Sequence, residues 1–348
     1  MRILITGNMG YVGSVLVPYL RQELPEAELI GFDSGFFGHC LTHADVLPEC
    51  FLDQQIFGDI RTLQPSLLKG VDAVVHLAAL SNDPIAREFE TLTEEINRVA
   101  SVRLAHLAAE AEVKHFVFAS SCAIYGYAEG GARKETDPKN PLTAYARSKI
   151  GTETDLATAN LHGMVFTSLR FATACGMSER LRLDLVLNDF VASALVTGEI
   201  TILSDGTPWR PLIDVEDMAR AIFWALQRSP ENGGTFLAVN VGKDEHNFQV
   251  RELAEAVARN LPGTAIRVNS AAPPDKRSYR VDFSLFKSLA GSYVPRVTLD
   301  DSIVRLCDGL RKMNFSERNF RESNFIRLNT LRRYLASQRL NKNLEWQP

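Results

Sequence analysis

Residues 2–13 read RILITGNMGYVG, a short apolar run that passes at once into glycines at positions 7, 10 and 13, with an apolar helical pattern beyond. A turn this tight between a strand and a helix needs residues without a Cβ. The same residues let a diphosphate approach the helix N-terminus, where unpaired N–H groups and the helix dipole favour negative charge. The strand–turn–helix context separates this loop from a chance triplet of glycines. Gly7, Met9, Gly10, Tyr11, Val12 and Gly13 are therefore the candidate cofactor loop. Twenty residues past Gly13, at the end of a second apolar run, stands Asp33. A carboxylate there accepts hydrogen bonds from ribose hydroxyls and repels a 2′-phosphate. Asn8, Met9, Ser34 and Gly35 supply no compensating cation, so the pattern predicts NAD rather than NADP.

Working outward, apolar runs at 2–6, 28–33, 73–78, 115–120 and 165–171 read as buried strands, separated by helical patterns at 11–24, 86–112 and 143–162. This alternation predicts an α/β protein, a doubly wound parallel sheet of the Rossmann kind with helices on both faces. The second half changes character. Helical patterns at 184–198, 215–228 and 249–260 lie among Arg- and Pro-bearing loops, and FLAVNV at 236–241 resembles one more sheet strand. The expected division is a dinucleotide-binding domain, 1–172 rejoined by about 212–245, and a smaller C-terminal substrate domain, 173–211 with 246–348.

Composition narrows the function. The 348 residues are 45% hydrophobic and 23% charged with a net charge of −4, which gives no electrostatic footprint for nucleic acid or a membrane surface. An anionic small ligand would need local arginines. Five scattered cysteines without CxxC spacing, and no apolar run of membrane-spanning length, point to a cytoplasmic protein with reduced thiols. His39, Cys40, His43 and Cys50 crowd together in GHCLTHADVLPEC, but their spacing fits no common zinc pattern, and no metal is expected. From Arg305 onward ten Lys/Arg stand against four Asp/Glu, read as the solvated faces of terminal helices.

YARSK places Tyr145 and Lys149 four residues apart on one helical face. A phenol is a poor base at neutral pH, and a neighbouring ammonium is expected to lower its pKa.

With GNMGYVG, Asp33, GDI (58–60), HLAAL (76–80), ASS before YG, YARSK, LRFATACG (169–176) and WRPLIDVEDMARA (209–221), the chain resembles the extended short-chain dehydrogenase/reductase superfamily. Within it the resemblance is to the NAD-dependent nucleotide-sugar epimerases and dehydratases. The resemblance implies Tyr145 as the acid/base at a sugar hydroxyl, Lys149 on the nicotinamide ribose and Ser121 as the hydrogen-bonding hydroxyl. It implies Asp59 and Ile60 at the adenine edge, Leu77, Ala78 and Ala79 over the cofactor phosphates, and Asn97 supporting the nicotinamide side. Arg210 and Arg277 would hold the nucleotide diphosphate of a sugar-nucleotide substrate, with Arg182 a further candidate. Thr173 stands where many members have Asn. Ser81 and Asn82, in SNDP, either touch sugar hydroxyls or turn the chain and cap the next helix. The Asp–Glu pair of 4,6-dehydratases is replaced by Cys122 and Ala123, so elimination lacks catalysts. Cys122 is read as a buried filler and Tyr125 as a packing residue. The implied activity is a nucleotide-sugar 4-epimerase or related 4-oxidoreductase. A ketoreductase or dehydrogenase with net redox turnover and a non-catalytic binding protein remain the alternatives. By the same analogy the helices at 86–112 and 143–162 form a homodimer contact.

Overall fold

The computed structural model describes residues 1–42, 44–269 and 277–347. In chain order the strands are β1 (Arg2–Thr6), β2 (Glu28–Asp33), β3 (Gln54–Phe57), β4 (Ala73–His76), β5 (His115–Ser121), β6 (Val165–Phe171), β7 (Thr173–Cys175), β8 (Glu199–Ile202), β9 (Trp209–Asp214), β10 (Phe236–Val241), β11 (Asn247–Gln249) and β12 (Ala265–Val268). The α-helices are α1 (Gly13–Glu23), α2 (Asp83–Glu88), α3 (Glu90–Glu94), α4 (Ala100–Glu110), α5 (Ala144–Ala157), α6 (Val186–Thr197), α7 (Val215–Gln227), α8 (Val250–Asn260), α9 (Ser284–Ala290), α10 (Leu299–Lys312) and α11 (Arg327–Ala336).

Seven strands form one parallel sheet in the order β10-β6-β5-β4-β1-β2-β3. Strands buried on both faces carry apolar side chains at successive positions, and β4 and β6 are buried along their whole length. Alternate residues supply opposite cores. Ile3, Ile5, Val75 and Leu169 pack with Leu16 of α1 and Ile222 of α7, while Leu4, Val74, Phe116 and Phe166 pack with Leu104 and Ala108 of α4. The winding order of the strands reverses between β1 and β4. The loops leaving their carboxyl ends diverge there and open the crevice in which such sheets bind ligands.

Beyond β6 the chain leaves the sheet. β7, β9 and β11 form a three-stranded sheet, and β8 pairs with β12. A third core joins them through Leu187 and Val191 of α6, Ile200 and Ile202 of β8, Leu253 of α8 and Leu306 of α10.

Three sequence expectations change. The helical pattern at 86–112 is one pattern but several pieces. It starts at Asp83, because the Asn82 side chain accepts the Ile85 N–H at 2.8 Å, and it passes through a π-turn at Glu95–Val99. Strand β3 went unread, since an edge strand with half-exposed residues shows no apolar run. The basic C-terminal stretch is not wholly solvated. Leu331, Tyr334, Leu340 and Leu344 enter the core beside Ile30 and Phe32, and Trp346 Nε1 donates to the Ser34 carbonyl at 2.6 Å. The stretch is thus divided, Leu306, Leu310 and Phe320 packing with α6 and α8 and the residues from Leu331 onward against the central sheet.

Gly13 opens α1 against the loop it follows. A Cβ there would lie 2.3 Å from the Asn8 carbonyl oxygen and 2.5 Å from its Cα, backbone atoms that no rotamer change moves. Gly13→Ala should therefore lower the urea midpoint, although Ala exceeds Gly in helix propensity by about 1 kcal/mol. An unchanged or raised midpoint would contradict this packing.

Candidate active site

A cavity of about 1050 Å³ runs along the carboxyl ends of the strands into the space beneath β8 and β9. Of the residues singled out from the sequence, all line it except Met9 and Asn97. At one end lies the glycine loop. Gly7 has φ +75°, and a Cβ on it would sit 2.5 Å from the Ala78 amide nitrogen, so glycine keeps the floor between the β1 and β4 loops open. The N-terminus of α1, whose dipole favours negative charge, lies at the same end.

Asp33 ties this loop to the next. Its Oδ2 accepts the Met9 N–H at 3.0 Å and its Oδ1 the Gly35 N–H at 2.7 Å. Burial raises its pKa, partly offset by those two N–H groups. Met9 thus takes part through its backbone, while its Cε packs toward Gly38. Arg180 lies near enough to act on Asp33, yet it is buried in a bidentate pair with Glu49 at 2.7 and 3.1 Å. Asp59 holds Arg61 through its own fork, with the Arg61 backbone N–H at 2.8 Å and Nη2 at 2.5 Å. Asn97, fully buried in the π-turn, accepts the Leu80 N–H at 2.8 Å and donates to the Leu80 carbonyl and Ser148. It corrects to a positioning residue that fixes the Leu77–Leu80 loop without reaching the cavity.

The acid/base group forms where β5 ends and α5 begins. Ser121 closes β5, its Oγ accepting the Ala123 N–H at 3.1 Å. Thr143 caps α5 by accepting the Ala146 N–H, which sets Tyr145 in the first turn and Lys149 one turn on. Lys149 is 3% exposed, and its Nζ donates to the Ala119 carbonyl at 2.7 Å and lies 5.7 Å from the Tyr145 ring centre. Burial brings the Lys149 pKa down to about 7, opposed by Glu153. Burial pushes Tyr145 up to about 12, while a hydrogen bond with Ser121 and the Arg182 charge pull the other way. Burial outweighs the lowering expected for the phenol, and Lys149 is not among the groups that act on it. Burial thus disfavours the charged form of both side chains. The cation whose field favours phenolate here is Arg182.

Neighbouring side chains take structural parts. Ser120 donates to Glu153 at 2.6 Å, inside a buried Arg170–Glu153 pair. Cys122 is fully buried with Sγ 3.0 Å from the Arg170 carbonyl, and burial raises its pKa. Tyr125 donates to Asn240 at 2.8 Å. Of the His/Cys group, His43 lies outside the described residues, His39 hydrogen-bonds Tyr334, Cys40 is buried and Cys50 exposed.

At the far end arginines meet acids. Arg182 forks onto Asp184 at 2.9 Å for both bonds and onto the Ser81 hydroxyl and carbonyl. Burial opposes ionisation of Asp184, but the Arg182 charge more than offsets it and its pKa is lowered. Asn82 caps α2 and donates to Asp184 while lining the cavity with Ser81. Arg277 pairs with Asp83 at 2.5 Å. Arg210 donates to the carbonyls of Trp209 and Arg277, and Thr173 lines the wall from β7. Sequence reading missed Asp184, Tyr279, Arg321 and Arg327, which also line the cavity. The RLRLD run around Arg182 carried a signal for Asp184. Nothing local marked Arg321 or Arg327, which arrive from about 140 residues further along.

Known proteins match this arrangement. A family model described as the NAD dependent epimerase/dehydratase family matches residues 3–242. The UDP-glucose 4-epimerase of Streptococcus mutans is 28% identical over 291 residues, 78% of this chain and 85% of that protein. UDP-glucuronic acid decarboxylase 6 of Arabidopsis thaliana is 26% identical, over 87% of each. The solved structure of MoeE5 in complex with UDP-glucose and NAD superposes with a TM-score of 0.75 at 26% identity, covering 90% of this chain and 99% of that one.

The depressed Lys149 value has a stability consequence. Between about pH 7 and 10.5 the unfolded chain binds a proton at this residue that the fold does not, so stability rises with pH across that window. Unfolding free energies of the parent and Lys149→Met should therefore diverge in the parent's favour from pH 6.5 to pH 9. A constant difference would place the amine elsewhere.

Proposed function

The chain belongs to the NAD dependent epimerase/dehydratase family, and from that premise we propose that it is a nucleotide-sugar 4-epimerase working through a keto sugar. The observation that carries the reading is the meeting of Ser121, Tyr145 and Lys149 in one cavity with the glycine loop, while positions 122 and 123 offer no acid. The fold, the family and the NAD complexes of its structural neighbours make NAD the cofactor, and the open floor at Gly7 and the hydrogen-bonding Asp33 fit it. When bound, NAD supplies the hydride acceptor and donor at sugar carbon four.

The chain's own residues do the rest. The glycine loop and Leu77–Ala79 would hold the cofactor diphosphate, and Asp33 and Asp59 its adenosine end. Tyr145, protonated in the free protein, exchanges the proton of the carbon-four hydroxyl, with Ser121 orienting that oxygen. Charge brought into the cavity by the ligands must draw the phenol toward ionisation, because Lys149 alone does not. Thr173, Arg182, Arg210 and Arg277, with Ser81 and Asn82, surround the space for a nucleotide-diphosphate sugar, guanidinium forks being suited to phosphate oxygens. Cys122 is buried and Ala123 has no proton to give, so 4,6-elimination has no acid–base pair, in keeping with epimerisation or simple oxidoreduction.

In this reading 1–172 with 212–245 serves NAD and 173–211 with 246–348 the sugar nucleotide, although Leu331, Tyr334, Leu340 and Leu344 pack into the core of the former. No described helix is long and apolar enough to cross a membrane, and a cytoplasmic location is part of the proposal. A homodimer through α4 and α5 completes it. Val99 is 58% exposed there beside the Arg98–Asp155 and Arg147–Glu90 pairs. Sedimentation should give twice the chain mass, and Val99→Glu should shift it toward monomer.

Incubation with UDP-glucose and related UDP-sugars, without added cofactor, should yield 4-epimers by NMR. Stoichiometric NADH instead would make it a dehydrogenase, and silence across the panel would remove the enzyme reading. Tyr145→Phe should lose about 10²–10⁴-fold in turnover yet keep NAD binding. Full turnover in that variant would overturn the assigned acid/base.

A further inference from the structure

We propose that Arg327 binds a ligand oxyanion, carried into the shared cavity by the C-terminal stretch. Arg327 opens α11, lines the cavity and is 2% exposed. Its Nη2 donates to the Arg180 carbonyl at 2.7 Å, and its guanidinium lies 4.8 Å from the Phe37 ring centre. Its Nη1 is shut off from solvent with no hydrogen-bond partner. Among the described residues no carboxylate lies within ion-pair distance of it.

Three other arginines of this cavity are built differently. Arg182 is paired with Asp184, Arg277 with Asp83 and Arg321 with Asp189. Asp184 is near enough to favour the Arg327 charge, but both its oxygens are held by Arg182. Burial brings the Arg327 pKa down to about 10, which leaves it charged at neutral pH. A buried guanidinium without counter-charge is expensive, and one removed from water needs an anion to complete it. A ligand oxyanion in the cavity supplies that charge to the guanidinium that lines it.

Two ligands bring such an oxygen. The carbonyl that Arg327 grips belongs to Arg180, whose Nη1 reaches Ser14 in the first turn of α1 at 3.1 Å, and Phe37 belongs to the loop after Asp33. These contacts set Arg327 toward the glycine loop and favour the dinucleotide diphosphate. The sugar nucleotide is the other source. The rest of the stretch braces the same end, with Trp346 on the Ser34 carbonyl and the Asn343 carbonyl on Arg61, the partner of Asp59. The inference rests on this cavity holding NAD and a sugar nucleotide, not on which reaction follows. Because its readouts are binding and melting, it can fail while isomer exchange stands.

The test compares the parent with Arg327→Met and Arg327→Gln, full chain and stripped of nucleotide. Calorimetric titration with NAD and with UDP-glucose is combined with ligand-free melting. Removing an uncompensated charge should leave the ligand-free melting temperature equal or higher, while NAD affinity falls about tenfold or more. A tenfold loss confined to UDP-glucose keeps the proposal and assigns the oxyanion to the sugar nucleotide. Parental affinity for both ligands overturns it, whatever the melting temperature. Loss of folding in both variants also overturns it, since the guanidinium would then be a structural prop.

Discussion

Two strand ends approach to backbone contact at the centre of this protein. Gly7, leaving β1, comes so close to Ala78, leaving β4, that a single methyl group would collide with the Ala78 amide. The approach is a consequence of parallel pairing between β1 and β4 in the middle of the sheet, where the winding direction changes. From that point the two loops diverge, one toward Asp33 and the other toward Asn97 and α5. The cavity is the space they leave. Met9, Gly35 and Leu80 are then fixed by hydrogen bonds to Asp33 and Asn97, which turns a gap between loops into a shaped site.

Exclusion of water from that space governs its chemistry. An ammonium and a phenol four residues apart on a surface helix would assist one another. Buried here, each is pushed toward its neutral form, Lys149 down to about 7 and Tyr145 up to about 12. The same exclusion explains the Arg182–Asp184 pair, in which a buried carboxylate neutralises a buried cation.

Much of this was legible in the chain. The apolar runs located six of the seven central strands, because strands covered on both faces must be apolar throughout, and the glycine loop with Asp33 announced the dinucleotide end. Twenty of the candidate residues face one cavity, since motifs that follow parallel strands must end on the same side of the sheet. What escaped was the edge strand β3, whose half-exposed residues carry no pattern. The paired states of Asp59, Asn82 and Arg182 also escaped, each decided by a partner that local sequence does not name.

By itself, then, the sequence determined the order of six of the seven central strands and put forward the candidate cofactor loop and acid/base set, because these follow from periodicity and from spacings of a few residues. Tertiary structure alone decided which charges survive burial, that Arg182 rather than Lys149 faces the phenol electrostatically, and that Arg327 enters the cavity from the far end of the chain. Solvation and counter-charge are properties of a residue's surroundings in space, and segments more than a hundred residues apart supply those surroundings here.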